Sequence, residues 1–339
     1  MISIITPSFN RAYIIDETAQ SIFGQSSKNW EWIIVDDGST DGSWEKIQAY
    51  ADQDSRVRVF QRNREPKGAC TCRNIGAEKA IGTHLMFLDT DDLLGPDAIL
   101  NRSKFESHSP QNALPFFPIV TFETNPRSGF LWDDPANPVS WLTGLFTMTP
   151  PCQGTAPLWP REEFLRIGGW REDLRVWQDV ELHIRAYVEG LRFEAVPDAE
   201  PDIFLRLSPD SISHMNFHSP EKVLSRWSVV AFCLNSFNEE LTPSERQGLH
   251  RMVLNVFENA LNVRNFNLAS RIIHHCSETT FVTEEQLNWM NEAQKHWKWR
   301  LYKIPLLKNQ LERKKKELYP LQLNRKICAI PWSSNNSNE

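Results

Sequence analysis

The sequence predicts an α/β fold: a central sheet covered by helices in the N-terminal half, followed by an α-helical C-terminal region. Three observations carry this prediction. Short apolar runs alternate with segments of helical periodicity over residues 1–92. Most of those runs stop at a polar or acidic cluster. Beyond residue 219, apolar residues recur at three- and four-residue spacing almost to the end.

In chain order, Ser3-Ile4-Ile5-Thr6 is a strand, and Ile15, Ala19, Ile22 and Phe23 set the apolar face of a helix between Asn10 and Gln25. Trp32-Ile33-Ile34-Val35 is a second strand, ended by Asp36-Asp37-Gly38. A helix over 41–51 places Trp44, Ile47 and Ala51 on one face. Val57–Phe60 is a third strand, 73–81 a helix, and His84–Leu88 a fourth strand that ends at Asp89. Alternating strands and helices imply a parallel sheet with helices on both faces. Ligands of such sheets bind beyond the carboxyl ends of the strands, where Pro7–Asn10, Asp36-Asp37 and Asp89–Asp92 all fall.

Residues 93–218 differ in character. Ten of the 21 prolines lie between 110 and 160, interleaved with Phe116, Phe117, Phe122, Phe130, Trp132, Trp141, Phe146 and Trp159. This composition suits a loop-rich cleft wall more than a regular sheet. Most of these aromatics are expected in the core. Helical periodicity returns over 176–188. In 219–326, helices are expected over 223–237, 243–264, 268–276 and 284–302, with Thr242-Pro243-Ser244-Glu245 and Thr283-Glu284-Glu285 as helix starts. The polar tail, 327–339, is expected to be disordered. The resulting division is 1–92, 93–218, 219–326 and tail.

The net charge of −6 gives no reason to expect a nucleic-acid partner. The six cysteines show no paired zinc spacing and read as reduced thiols. No stretch reads as a signal or transmembrane segment, so a cytosolic location is expected.

Asp89-Thr90-Asp91-Asp92 places three carboxylates within four residues after an apolar strand. Their mutual repulsion is costly without a cation. Mg²⁺ or Mn²⁺ takes one or two carboxylates and accepts phosphate oxygens as well. A helix cap accounts for one of the three aspartates. In Asp36-Asp37-Gly38-Ser39-Thr40-Asp41, a plain strand-to-helix turn explains Gly38, Ser39 and Asp41 but does not need both leading carboxylates.

Four segments, Thr6–Arg11, Val35–Asp41, Cys72-Arg73-Asn74-Ile75-Gly76 and Phe87–Asp92, occur in the order seen in glycosyltransferase family 2, and the N-terminal domain resembles that family's GT-A fold, a Rossmann-like domain with a mixed central sheet. The resemblance implies that Pro7, Phe9, Asn10 and Asp37 surround the nucleotide of a nucleotide-sugar. It puts Arg73 near the base or phosphates, Asp91 at the ribose or metal, and Asp89 and Asp92 in the metal region. The family's acidic pair at a helix start has its counterpart in Gln178-Asp179, with glutamine replacing the usual glutamate. Asp179 is the implied general base, and Glu181, two residues on, is a minor alternative. The segment 204–213 matches one that carries a donor-binding arginine, here Arg206, with Ser208 where a histidine is common. His214 and His218 lack the third ligand that a metal site needs.

The activity implied is inverting, metal-dependent transfer of a sugar from a nucleotide-diphosphate donor, UDP favoured, to a glycan or lipid-linked acceptor, as in bacterial surface polysaccharide assembly. Two other readings remain. A nucleotidyltransferase would want a glycine-rich first loop, and Thr6–Arg11 has no glycine. A non-catalytic scaffold would be expected to lose the acidic residues. Finally, 295–326 carries eleven Lys or Arg against two Glu, interleaved with Trp297, Trp299, Leu301, Tyr302, Ile304, Leu306 and Leu307. This suits peripheral contact with an anionic membrane, or a helix whose tryptophans pack on the protein.

Overall fold

The structure is a computed structural model that describes residues 1–105, 112–133, 139–208, 218–237, 241–279, 281–319 and 330–332. His214, Cys328 and the tail from 333 lie outside the described residues.

The first sheet contains β1 (Ile2–Ser8), β2 (Trp30–Asp36), β3 (Val57–Gln61) and β4 (His84–Phe87), connected by α1 (Ile15–Phe23), α2 (Ser43–Gln53) and α3 (Ala69–Lys79). Its order is β3-β2-β1-β4, all parallel. Every residue of β2 is buried, as expected of a central parallel strand covered on both faces. Glu31, inside that strand, is tolerated because its carboxylate accepts from Ser3 Oγ at 2.6 Å, Ile81 N at 2.6 Å and Arg58 at 2.9 Å.

The remaining strands are short: β5 (Leu93–Leu94), β6 (Ala113–Phe116), β7 (Ile119–Phe122), β8 (Phe130–Leu131), β9 (Trp159–Pro160), β10 (Arg192–Ala195), β11 (Ile203–Arg206) and β12 (Ile330–Pro331). The antiparallel β9 joins the edge of the first sheet at β4, which makes that sheet mixed. A second mixed sheet runs β12-β8-β7-β11-β5, and β10 pairs with β6. Residues 93–218 therefore hold regular sheet as well as loops, contrary to the cleft-wall expectation. Strands of two to four residues leave no period to read in a proline-rich sequence. Phe117, Phe122, Phe146 and Trp159 are core residues. The helices here are α4 (Ala98–Ser103), α5 (Trp141–Phe146), α6 (Arg161–Arg166) and α7 (Gln178–Val188).

The C-terminal region is helical as expected: α8 (Pro220–Ser236), α9 (Pro243–Asn262), α10 (Phe266–Glu278), α11 (Glu284–Lys298) and α12 (Pro305–Leu318). Capping boxes at Thr242/Glu245 and Thr283/Gln286 set the starts of α9 and α11. Its core is continuous with α5 and α7 of the preceding half, and Ser140 Oγ donates to Glu245 at 2.8 Å. The helical region thus buttresses α5 and α7, the latter carrying Asp179. No helix among the described residues is long and apolar enough to cross a membrane. Cys70, Cys72, Cys152, Cys233 and Cys276 are free and buried.

His183, on α7, is enclosed by Trp141, Trp159 and Phe193, with ring centroids 5.4, 6.1 and 4.9 Å away. Burial pulls its imidazole down to about 3. The unfolded chain takes up this proton near pH 6.5, whereas the folded chain does so only near pH 3. Stability is therefore lost as pH falls through that window, by roughly 2–3 kcal/mol between about pH 6.5 and 4.5 from this group alone. In His183→Leu, the urea midpoint is expected to fall less over that range than in the wild type. Parallel falls in the two proteins would rule out the imidazole as a source.

Candidate active site

The site forms at the carboxyl ends of β1, β2 and β4. Asn10 takes a left-handed conformation (φ +53°) and laces the first two loops together. Its N–H donates to Ser39 Oγ at 2.9 Å, and its side-chain oxygen accepts from Thr40 N at 2.9 Å. Asn10 thus braces the two loops through its backbone N–H and its side-chain oxygen. The aspartates of the second cluster divide their tasks. Asp36 accepts from the N–H groups of Gly38 and Ser39, each at 2.9 Å, so the turn does use the first carboxylate after all. Asp37 instead pairs with Arg62 at 2.5 Å, just beyond β3. Pro7 and Phe9 flank this corner. The Phe9 ring is 42% exposed, with Lys67 Nζ 3.6 Å from its centroid.

The acidic loop after β4 is a tight turn, Asp92 N–H donating to Asp89 O at 3.2 Å. The Thr18 hydroxyl on α1 pins it, lying 2.9 Å from Thr90 O and 2.8 Å from Asp92 O. Its three carboxylates point to different partners. Asp89 is paired with Arg73 at 2.6 Å. Asp92 is buried and accepts from Arg206 N at 3.0 Å; burial and its two neighbouring aspartates push it well above the carboxylate range. Among the described residues no other residue donates a hydrogen bond to the Asp91 carboxylate, although Arg11 and Arg206 lie within electrostatic reach. Burial first, and then Asp89, raise its pKa. Among the described residues no three potential ligands converge on one point. Asp92 is taken by the backbone of β11 and Asp89 by a guanidinium. What remains is one uncommitted carboxylate, Asp91, beside a second, Asp89. The chemistry of that set is compatible with a Mg²⁺ or Mn²⁺ ion that keeps waters and takes phosphate oxygens.

Arg206 is brought to the same loop. Its Nε donates to Asp91 O at 3.2 Å, its guanidinium pairs with Glu17 and lies 4.6 Å from the Phe122 centroid. It is a fixed positive wall and not a loose surface arginine.

Arg73 projects from α3 into the site. Burial works against its charge, but Asp89 more than offsets this and holds the guanidinium firmly protonated. The next residue, Asn74, locks the loop before α7: it donates to Trp170 O and Glu172 at 2.8 Å and accepts from Trp170 N at 2.8 Å. Gly169 (φ +64°) must be glycine, since a Cβ would stand 2.6 Å from Asn74 Oδ1. Trp170 in turn lies 4.9 Å from the Arg73 guanidinium. Gly154 allows Trp170 and Asp179 to approach: a Cβ there would be 2.8 Å from the indole and 3.4 Å from Asp179 Cβ.

Asp179 sits in the first turn of α7, half-buried, with one oxygen accepting from Val180 N at 2.9 Å. Burial raises its pKa, Arg73 opposes the shift and Asp89 adds to it. Asp179 is therefore within electrostatic reach of the Arg73–Asp89 pair. Glu181 is excluded as a base, because it is buried and gripped by Arg185 at 2.8 and 2.9 Å. Arg185 also donates to the carbonyls of Ile167 and Gly169, tying the glycine loop to α7. Gln178 donates to Leu174 O at 2.8 Å, an intrachain task that needs no charge.

Reading the sequence missed Arg62, Asn74, Trp170 and Lys67 as parts of this site. The position of Arg62, directly after a strand whose neighbours end in site residues, was an available signal. Lys67 had none.

Residues 3–128 match the profile of Glycosyl transferase family 2. Among curated proteins, the chain is 40% identical over 105 residues to the putative teichuronic acid biosynthesis glycosyltransferase TuaG of Bacillus subtilis, covering 31% of this chain and 41% of that one. It is 36% identical over 93 residues to the Escherichia coli UDP-Glc:alpha-D-GlcNAc-diphosphoundecaprenol beta-1,3-glucosyltransferase WfgD, covering 27% and 36%. It thus spans about two fifths of the length of these relatives. The solved structure of S. aureus TarS 1-349 in complex with UDP-GlcNAc shares the GT-A fold, with a TM-score of 0.62 at 17% identity, over 94% of this chain and 89% of that one. On its motifs, its strand-end site and this match, residues 3–128 are similar to glycosyltransferase family 2.

Proposed function

We propose that the chain is an inverting, metal-dependent glycosyltransferase that moves one sugar from a nucleotide-diphosphate donor, UDP in preference, to a hydroxyl of a glycan or lipid-linked acceptor. The observation that carries this reading is that two unlike carboxylates both lie within electrostatic reach of Asp89, itself paired with Arg73. Asp91 is uncommitted at the strand ends, and half-buried Asp179 faces the same Arg73–Asp89 pair. The names of WfgD and TarS's ligand add support for a UDP-linked donor, and that of WfgD for a lipid-linked acceptor.

In this reading Phe9, Pro7 and Asp37 receive the base, and Arg62 holds Asp37 in place. Asp179, ionised, takes the proton of the acceptor hydroxyl as its oxygen attacks the anomeric carbon. The new C–O bond forms while the bond to the diphosphate oxygen breaks, and the electron pair leaves on the phosphate, inverting the centre. Arg73 and Arg206 stabilise the departing charge from fixed positions. Asp91 would hold a Mn²⁺ or Mg²⁺ ion, whose chemistry when bound would be Lewis-acid stabilisation of the diphosphate. A retaining route would need a second carboxylate as nucleophile; among the described residues Glu181 is locked by Arg185, Asp89 is paired with Arg73, and Asp91 is assigned here to the metal. A lipid-linked acceptor requires work at the cytoplasmic face of a membrane, and the basic segment 295–326 is suited to meet it.

The test is calorimetric titration with UDP, GDP and dTDP, each with Mn²⁺ and with EDTA. One nucleotide, UDP first, is expected to bind and to do so only with metal. Failure of all three to bind would favour the scaffold reading.

A further inference from the structure

The last two long helices, α11 and α12, form a hairpin whose stem and corner are built differently. The stem belongs to the protein. Trp289 Nε1 donates to Leu311 O at 3.1 Å, Leu311 is buried, and Lys315 and Lys314 pair with Glu258 and Glu292 at 2.5 and 3.5 Å. At the corner α11 stops, Arg300 turns left-handed (φ +58°), and one turn of 3-10 helix (Leu301–Lys303) leads into α12. Trp297 folds inward there, stacked on Tyr302 with ring centroids 5.1 Å apart and its Nε1 3.3 Å from Asn262 Oδ1. Trp299, Leu306 and Ile304 do the opposite: they are 70%, 67% and 47% exposed.

Lys295, Lys298, Arg300, Lys303 and Lys308 flank these three residues in the chain and are all exposed. Among the described residues no carboxylate lies within ion-pair distance of any of them, whereas cations of the stem are matched. A chain of net charge −6 thus concentrates unpaired positive charge on one projecting corner together with its exposed indole. Unmatched cations repel a basic partner and draw in an anionic one. Tryptophan with an apolar body and polar edge, flanked by lysines with long apolar stems, is the composition that settles at a lipid–water boundary. Three apolar side chains on a narrow corner offer a folded protein partner little area, but they need only a fluid surface to enter a bilayer.

We propose that the corner 298–308 is a docking wedge for an anionic lipid surface, with Trp299, Ile304 and Leu306 entering the interface and Lys298, Arg300, Lys303 and Lys308 meeting the headgroups. This narrows the basic segment to its corner and assigns the stem of α12 to the protein core. It rests on the proposed function only for the reason why a membrane is needed.

The test is cosedimentation of the full chain with vesicles of phosphatidylglycerol and phosphatidylcholine, against phosphatidylcholine alone. Binding is expected only with phosphatidylglycerol and is expected to weaken as salt is raised. Trp299→Ser with Leu306→Ser should weaken it at least about tenfold, and Lys298→Glu with Lys303→Glu by a similar factor. Both variants should keep the wild-type melting curve, because all four side chains are exposed. Equal binding to the two vesicle types, no binding, or variants that bind like the wild type would overturn the proposal. So would retention on a soluble acidic polymer without any vesicle binding, which would assign the corner to a polyanion. Nucleotide titration is read separately, so loss of the transferase reading leaves the vesicle result interpretable, and the reverse.

Discussion

Asp179→Asn is expected to lower sugar transfer by about 10²–10⁴-fold while leaving nucleotide affinity unchanged. Asparagine keeps the shape of the side chain and can still accept from Val180 N, as Asp179 does at 2.9 Å. It cannot accept a proton. The wild type should also show an acid limb. Burial holds the Asp179 carboxyl above its ordinary 3.8, and only the ionised form acts as base, so kcat/KM should fall as pH drops through that raised value. The residual activity of Asp179→Asn should lack this limb. Glu181 cannot stand in, because Arg185 holds both of its oxygens. A variant that transfers sugar at the wild-type rate would remove Asp179 from the chemistry.

Asp91→Ala is expected to weaken nucleotide binding in Mn²⁺ by about a hundredfold or more, since even partners one shell out from a metal cost 10–100-fold when lost. Binding measured in EDTA should be the same for both proteins. The melting temperature should not fall. Burial and Asp89 raise the Asp91 pKa in the folded chain. A carboxyl with a raised folded pKa costs stability once pH exceeds its unfolded value, so at neutral pH its removal relieves the fold. Reduced binding accompanied by a lower melting temperature would instead mean that Asp91 supports the loop, and the metal would then need another holder.

How much of this was legible varies along the chain. Long periodic segments read well, as the starts of α9 and α11 show, because a capping box is a local signal. The strands of the middle region did not, because two to four residues carry too few alternations to show a period. The acidic clusters announced a site, yet their division of labour stayed hidden. Asp36 and Asp37 are neighbours of one chemical type. Only the fold decides that one braces a turn and the other meets Arg62.

By itself the sequence determined the alternation of strand and helix, the placing of acidic residues at strand ends and the helical character of the C-terminal region, because periodicity and local turn chemistry act over a few residues. Only the tertiary structure decided the rest. It set Arg73 against Asp89, left Asp91 uncommitted, turned Asp92 to β11, and brought Asp179 to a loop some ninety residues earlier in the chain. It also put Trp297 inside and Trp299 outside, although two residues apart in one basic segment. Such choices depend on contacts between residues far apart in sequence, and no local pattern encodes them.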